Sequence, residues 1–315
     1  MTGAPPVEAR GLVKRYGEIV AVDRVDLSVE HGDVFGYLGP NGAGKTTSLR
    51  MLLGLIRPTS GGARLFGRDP LVDGAKALDG VAGFVEGPRF YPYLSGRRNL
   101  RLLADYDEPV SRALIDEVLE LVELRDRAKD KVGGYSHGMR QRLGIAAALL
   151  RQPRLLLLDE PTTGLDPAGM RDMRELVRRL AGEGITIMLS SHLLYEVEDL
   201  CNRVAIIRKG CVIYQGSLRD LLATATSGYR LRALEPERAR LVLLAQNGID
   251  NVRDGNGELR FSGDEQSVAA LTVALGRAGI GITALQAETQ SLEELFLGMT
   301  GGESSDHDRT VEVAV

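Results

Sequence analysis

The apolar positions of this chain change period several times, and the changes mark its elements. Residues 19–29 (IVAVDRVDLSV) and 34–38 (VFGYL) are rich in β-branched and apolar side chains over strand length. A glycine-rich turn, LGPNGAGKTT, leads into the helical pattern TSLRMLLGLI. Arg57-Pro58-Thr59-Ser60-Gly61-Gly62 then breaks that helix. Residues 63–85 alternate in short strand-like pieces. From about Arg97 to Arg151 the chain reads as mostly helical, with Leu114, Ile115, Val118, Leu119, Leu121 and Val122 at helical spacing. The runs LLLLDEP (155–161) and GITIMLSSH (184–192) predict fully buried strands of a parallel sheet, with the helix PAGMRDMRELVRRLAG between them. Strand–helix–strand alternation argues for an α/β core.

The texture changes near residue 222. ATATSG reads as a small-residue linker, followed by the strand YRLRAL and the helix PERARLVLLAQNG. A hairpin is predicted around Gly255-Asn256-Gly257, then the helix DEQSVAALTVALGRAG, the strand IGITALQ and the helix SLEELFLGM. The order β-α-β-β-α-β matches the ferredoxin-like pattern of a small α+β domain. The expected division is therefore residues 1–222, an accessory domain at 223–300 and a polar, disordered tail at 301–315.

Composition adds limits. The net charge of −4 gives no basic field, so no nucleic-acid partner is expected. Cys201 and Cys211 are too few for a disulfide framework or a zinc site and read as buried or half-buried thiols. The N-terminal MTGAPPVEARG lacks the apolar stretch of a signal peptide, and no run approaches the ~20 residues of a membrane span.

Two motifs carry chemistry. Gly39, Pro40, Asn41, Gly42, Ala43, Gly44, Lys45 and Thr46 fit the spacing GxxxxGK[ST], with Thr47 following. Glycines let backbone N–H groups crowd a phosphate, and the helix starting at Lys45 aims its positive end at the same anion. The Lys45 ammonium reaches the β- and γ-phosphate oxygens, and the Thr46 hydroxyl is a ligand for Mg²⁺. Asp159, ending the apolar run LLLLDE, is placed to hold Mg²⁺ through water. Glu160 is placed to take a proton from an attacking water. Together they predict a nucleotidase pair that works with Mg²⁺.

With YSHGMRQRLGIAAALL, PTTGLD and Ser190-Ser191-His192 added, the chain resembles the nucleotide-binding subunits of ATP-binding cassette (ABC) transporters over residues 7–222. The resemblance implies a P-loop NTPase core with an N-terminal antiparallel β region and a helical subdomain at about 88–151. It also implies a second copy, or a paralogous ATPase subunit, in a head-to-tail dimer around two ATP molecules. A separate membrane permease would hold the chain at the cytoplasmic face of the membrane. By the same resemblance Ser136 and Gly138 contact the γ-phosphate of the opposite protomer, with His137 standing where glycine is usual. Asp166 lies in the loop that pairs across the dimer, His192 contacts the γ-phosphate and Tyr16 stacks on adenine. Glu86 stands where the family carries a glutamine, as a metal and water sensor or a second base. Phe84, Phe90, Tyr91 and Tyr93 crowd the same loop, either packed in the helical subdomain or facing a permease groove. Glutamate at this place and the signature form YSxGM look like exporters of drugs, peptide antibiotics and lantibiotics. A soluble ABC ATPase acting on ribosomes or DNA is the alternative, although such proteins usually carry two cassettes or a long coiled coil.

Overall fold

A computed structural model describes residues 3–105, 111–223, 228–255, 258–288 and 292–300. The chain divides into two compact units, residues 1–218 and 219–315. The linker at 224–227, the hairpin tip at Asn256-Gly257 and the tail at 301–315 lie outside the described residues.

The first unit holds two sheets. Strands β1 (Val7–Tyr16), β2 (Ile19–Val29) and β4 (Ser60–Leu65) form an antiparallel sheet in the order β2-β1-β4. The larger sheet takes β3 (Val34–Leu38), β5 (Val81–Phe84), β6 (Leu155–Asp159), β7 (Thr186–Ser191), β8 (Arg203–Arg208) and β9 (Cys211–Ser217). Their order is β5-β6-β7-β3-β8-β9, parallel except for the β8–β9 pair. Leu155 to Leu158 of β6 are fully buried, as expected for a strand covered on both faces. Each leucine so buried is worth about 1.5–3 kcal/mol. That anchors the polar residues at the strand's end.

Helix α1 (Lys45–Leu52) follows β3 and stops short of the expected Ile56. Gly54 turns into the left-handed region (φ 69°), and the N–H groups of Leu55 and Ile56 return to the Arg50 carbonyl at 2.8 and 3.4 Å. Helices α2 (Gly96–Ala104), α3 (Arg112–Leu121) and α4 (His137–Leu149) pack on one another between β5 and β6 in the chain. Helix α5 (Pro167–Gly182) joins β6 to β7, α6 (Leu194–Leu200) joins β7 to β8, and α7 is Leu218–Ala223.

The second unit has the β-α-β-β-α-β order: β10 (Gly228–Ala233), α8 (Pro236–Ala245), β11 (Ile249–Gly255), β12 (Glu258–Gly263), α9 (Glu265–Arg277) and β13 (Ile282–Glu288). Helix α10 (Leu292–Thr300) follows. The antiparallel sheet runs β11-β12-β10-β13. Its core includes Leu231, Leu243, Leu259, Phe261, Leu271 and Leu275.

Candidate functional site

Five parallel strands, β5, β6, β7, β3 and β8, bring their C-terminal ends side by side, in the crevice where open α/β sheets place ligands. Register sets who meets whom. Leu38 pairs with Ser191, Ser190 with Asp159, and Leu158 with Phe84. The loop after β3 therefore emerges beside His192. Asp159 lies between the ends of β7 and β5.

The loop from Gly39 to Gly44 is a cradle only glycine could close. A Cβ on Gly39 would lie 2.5 Å from the Ile207 carbonyl. Gly44 has φ 106°, and a Cβ there would lie 2.5 Å from the Ala21 carbonyl. Gly44 also leaves the first turn of α1 without a side-chain cap, so its N–H groups remain available to an anion. Pro40, Asn41 and Gly42 form the exposed crest, and Ala43 is buried beneath it. Lys45 is 5% exposed and reaches the Gly39 carbonyl at 2.6 Å, the Pro40 carbonyl at 3.3 Å and Glu160 Oε1 at 3.1 Å. The ammonium thus faces two carbonyl oxygens of the loop and one carboxylate oxygen of Glu160.

The Thr46 hydroxyl donates to Asp159 Oδ2 at 2.9 Å, and Ser190 Oγ donates to Asp159 Oδ1 at 2.5 Å. These hard oxygens fit Mg²⁺, which keeps several waters and takes few protein ligands. Glu160 sits in left-handed backbone, φ 47°, a conformation that costs energy for a side chain with Cβ. Its N–H donates to Ser190 Oγ at 3.0 Å, which holds that turn in place. Its Oε2 accepts from Thr163 Oγ1 at 2.8 Å and lies 2.9 Å from His192 Nδ1. Burial is the strongest single influence on the Glu160 carboxyl and pushes it up. The Thr163 hydroxyl, Lys45 and His192 together outweigh burial and hold the group below its ordinary value. Glu160 is therefore ionised at neutral pH.

Glu86 also adopts left-handed backbone, φ 63°. Its N–H, not its carboxylate, meets Asp159, at 3.4 Å from Oδ2. The carboxylate forms an ion pair with Arg50 on α1. Tyr16 is 48% exposed, with Lys14 Nζ 5.0 Å over its ring and anchored on the Arg57 carbonyl at 2.7 Å. Thr47 is half-buried in the first turn of α1.

The remaining expected residues stand apart from this cluster. Ser136 caps α4 through Met139 N–H at 3.2 Å and is exposed, as is His137. A Cβ on Gly138 would touch Leu165 at 3.5 Å, so this loop lies against the segment ending in Asp166. The Asp166 carboxylate caps α5 by accepting from Gly169 N–H at 2.9 Å. Sequence reasoning missed the contacts that Arg50, Thr163 and Ser190 make with this cluster. The two serines were legible in Ser190-Ser191-His192, but which of them faces Asp159 depends on the sheet.

Residues 22–163 match the ABC transporter family. The chain is 40% identical to the uncharacterized ABC transporter ATP-binding protein YhcH of Bacillus subtilis (strain 168), over 94% of this chain and 96% of that protein. The chain belongs to the ABC transporter ATP-binding subunits. The bacitracin transport ATP-binding protein BcrA of Bacillus licheniformis is 40% identical, over 94% of this chain and 97% of BcrA. A dimeric post-hydrolysis structure of the ATP-binding cassette MJ0796 with ADP and phosphate aligns at TM-score 0.61 and 25% identity, covering 68% of this chain and 99% of that one. As an ABC ATPase the chain binds and hydrolyses ATP, and that hydrolysis is coupled to transport.

Proposed function

We propose that this ABC ATPase works as a Mg²⁺-dependent head-to-tail dimer on the cytoplasmic face of a membrane, driving a permease that exports an antibiotic-like or peptide-like substrate. The cluster of Lys45, Thr46, Asp159, Glu160 and His192 carries this reading. Thr46 and Asp159 would hold the metal with the β- and γ-phosphates on Lys45 and the first turn of α1. Bound there, the metal would neutralise phosphate charge during phosphoryl transfer to water. Glu160 accepts the water's proton, and His192 is held against it to face the γ-phosphate. Exposed Ser136 and half-buried Gly138, at the start of α4, would meet the nucleotide of a second copy. Tyr16 offers an open ring face to adenine.

The permease reading rests on a groove. An open cleft of about 1130 Å³ runs between the core and the helical region, lined by Leu55, Phe84, Pro88, Phe90, Leu103 and Leu114 among others. Tyr91 and Tyr93 stand exposed beside it in sequence, their ring centroids 5.8 Å apart. Rigid aromatic area at a groove suits a docking helix. Among the described residues no helix is long and apolar enough to cross a membrane, so spanning is assigned to the partner. Replacing Phe90 and Tyr91 by Ala is expected to weaken permease assembly while changing ATP affinity of the isolated subunit less than about two-fold. Pull-down of the permease, alongside equilibrium ATP binding, measures both. Loss of ATP binding in a folded double variant would overturn the assignment.

Glu86 follows the groove residue Val85 in the chain. The Arg50 pair holds its carboxylate, and its backbone lies on the metal ligand Asp159. We read it as the metal and water sensor rather than the base, because Glu160 follows directly on the strand that places Asp159. Glu86→Gln is expected to keep ATPase activity within about ten-fold, whereas a lost base costs about 10²–10⁴-fold. Glu86→Ala should uncouple hydrolysis from transport. Single-turnover rates and substrate flux in reconstituted vesicles separate the two roles. A Glu86→Gln enzyme that cannot turn over would make Glu86 the base. The second unit is assigned an accessory, non-catalytic role.

A further inference from the structure

Glu196 is a buried acid that the site above does not use. It lies in the first turn of α6 and is 2% exposed. Its Oε2 accepts from Thr162 Oγ1 at 2.7 Å and from Ser191 Oγ at 3.1 Å. Its Oε1 is buried and has no hydrogen-bond partner among the described residues. Thr162 is 3% exposed and sits two residues after Glu160, in the segment that ends at Asp166. Ser191 directly precedes His192 and accepts from Leu193 N–H at 2.9 Å. One carboxylate oxygen therefore ties together the two segments that leave the site, one after β6 and one after β7.

The alternation of β7 makes the arrangement two-sided. Ser190 turns to Asp159 and His192 to Glu160, while Ser191, between them, turns to Glu196. This is a costly way to hold two loops. A buried carboxylate with one oxygen unpaired is worse for stability than an apolar side chain of similar shape. Thr162 could likewise be replaced by valine at little cost if its acceptor went with it. The fold's stability does not account for this pair. What the pair does provide is a fixed relation between Glu160, His192 and the Asp166 segment.

We propose that Glu196 is a positioning residue for ATP hydrolysis, locking the Thr162 loop to the His192 strand end so that base and histidine keep one geometry. It touches neither nucleotide nor metal and acts through Thr162 and Ser191. The inference rests on the reading of Glu160 and His192 as hydrolytic groups. Small displacements of reacting groups cost up to ~10²-fold, so the expected effect falls on the chemical step and not on binding.

The test uses the full chain carrying Thr162→Val, Glu196→Leu, both together, and Glu196→Gln. Single-turnover hydrolysis at saturating Mg-ATP, equilibrium ATP binding and thermal unfolding are measured for each. The double variant is expected to lose about 10–100-fold in rate, to bind ATP within about three-fold of the parent, and to melt at or above the parent's temperature. Thr162→Val alone should lose nearly as much rate as the double, since both remove one shared bond. Glu196→Gln, which keeps the acceptor oxygen, should recover most of the rate. Should Glu196→Leu alone fail to fold, Thr162→Val and the double variant carry the test. A double variant hydrolysing at the parental rate overturns the proposal. So does parallel loss of melting temperature, ATP binding and rate, which marks a merely structural residue. Glu160→Gln is the control. If it hydrolyses normally, the reading of the site has failed, whereas a slow Glu160→Gln beside a normal double variant condemns only the role of Glu196.

Discussion

Glu160→Gln is expected to lose about 10²–10⁴-fold in ATP hydrolysis while still binding Mg-ATP. Glutamine has nearly the shape of glutamate and can still accept the Thr163 hydroxyl, which now donates at 2.8 Å. It cannot take a proton from water. It also removes the negative charge that lies 3.1 Å from Lys45 Nζ. The ammonium then has one fewer competitor for its protons, so ATP affinity should hold or rise. A bound but unhydrolysed nucleotide should trap the closed dimer. Single-turnover hydrolysis and size-exclusion chromatography in saturating Mg-ATP measure the two halves of this expectation. A variant that stays monomeric, alone and with the permease, would remove the two-site sandwich. A variant that hydrolyses at near the parental rate would remove Glu160 as the base.

Lys45→Ala should produce the opposite pattern: weak binding and no ATP-driven dimer. The ammonium is buried at 5% exposure, and its contacts at 2.6, 3.1 and 3.3 Å all lie within the cradle and its base. A phosphate entering the loop takes over protons already aimed inward. Hydrogen bonds to charged groups contribute about 1.5–3 kcal/mol each, so losing the ammonium should weaken ATP binding by about 10–100-fold. Removing Lys45 also strips Glu160 of one of the charges that hold its carboxyl low, so that carboxyl should titrate higher in the variant. Calorimetric titration of ATP into both single variants and the double tests the pair. Because Lys45 and Glu160 touch, their effects on affinity should not add. Wild-type affinity in a folded Lys45→Ala protein would mean that the backbone cradle alone binds the phosphates.

Much of this was legible in the chain itself. The cradle from Gly39 to Thr46 is local, since its spacing, its glycines and the helix after it are all consecutive. Strand β6 was legible because LLLLDE is apolar over its whole length before the acids begin. Strand β1 was not, because it carries register shifts between Ala9 and Leu12 and between Leu12 and Lys14, with Gly11 at φ 54°. Each shift breaks the period of two by which a half-buried strand is read. The helix after the cradle was extended too far because its apolar run continues through Leu53 and Leu55. Only the backbone turn at Gly54 ends it.

The site divides along the same line. Sequence alone named the candidate groups, because a phosphate loop and an acid pair after a buried strand are short-range patterns. The tertiary structure decided which of them meet. Asp159 is 113 residues from Thr46 and 31 from Ser190, yet it accepts from both, because parallel pairing sets the strand ends in one row. Glu86 turns its carboxylate to Arg50 and only its backbone to Asp159, a choice made by left-handed backbone that no residue pattern announces. Nothing in the residues around Glu196 marks it as buried. It is buried because α6 packs on β3 and β7, bringing the helix's first turn against Thr162 and Ser191. Burial and pairing across long separations are properties of the packed sheet, and the local order of residues does not contain them.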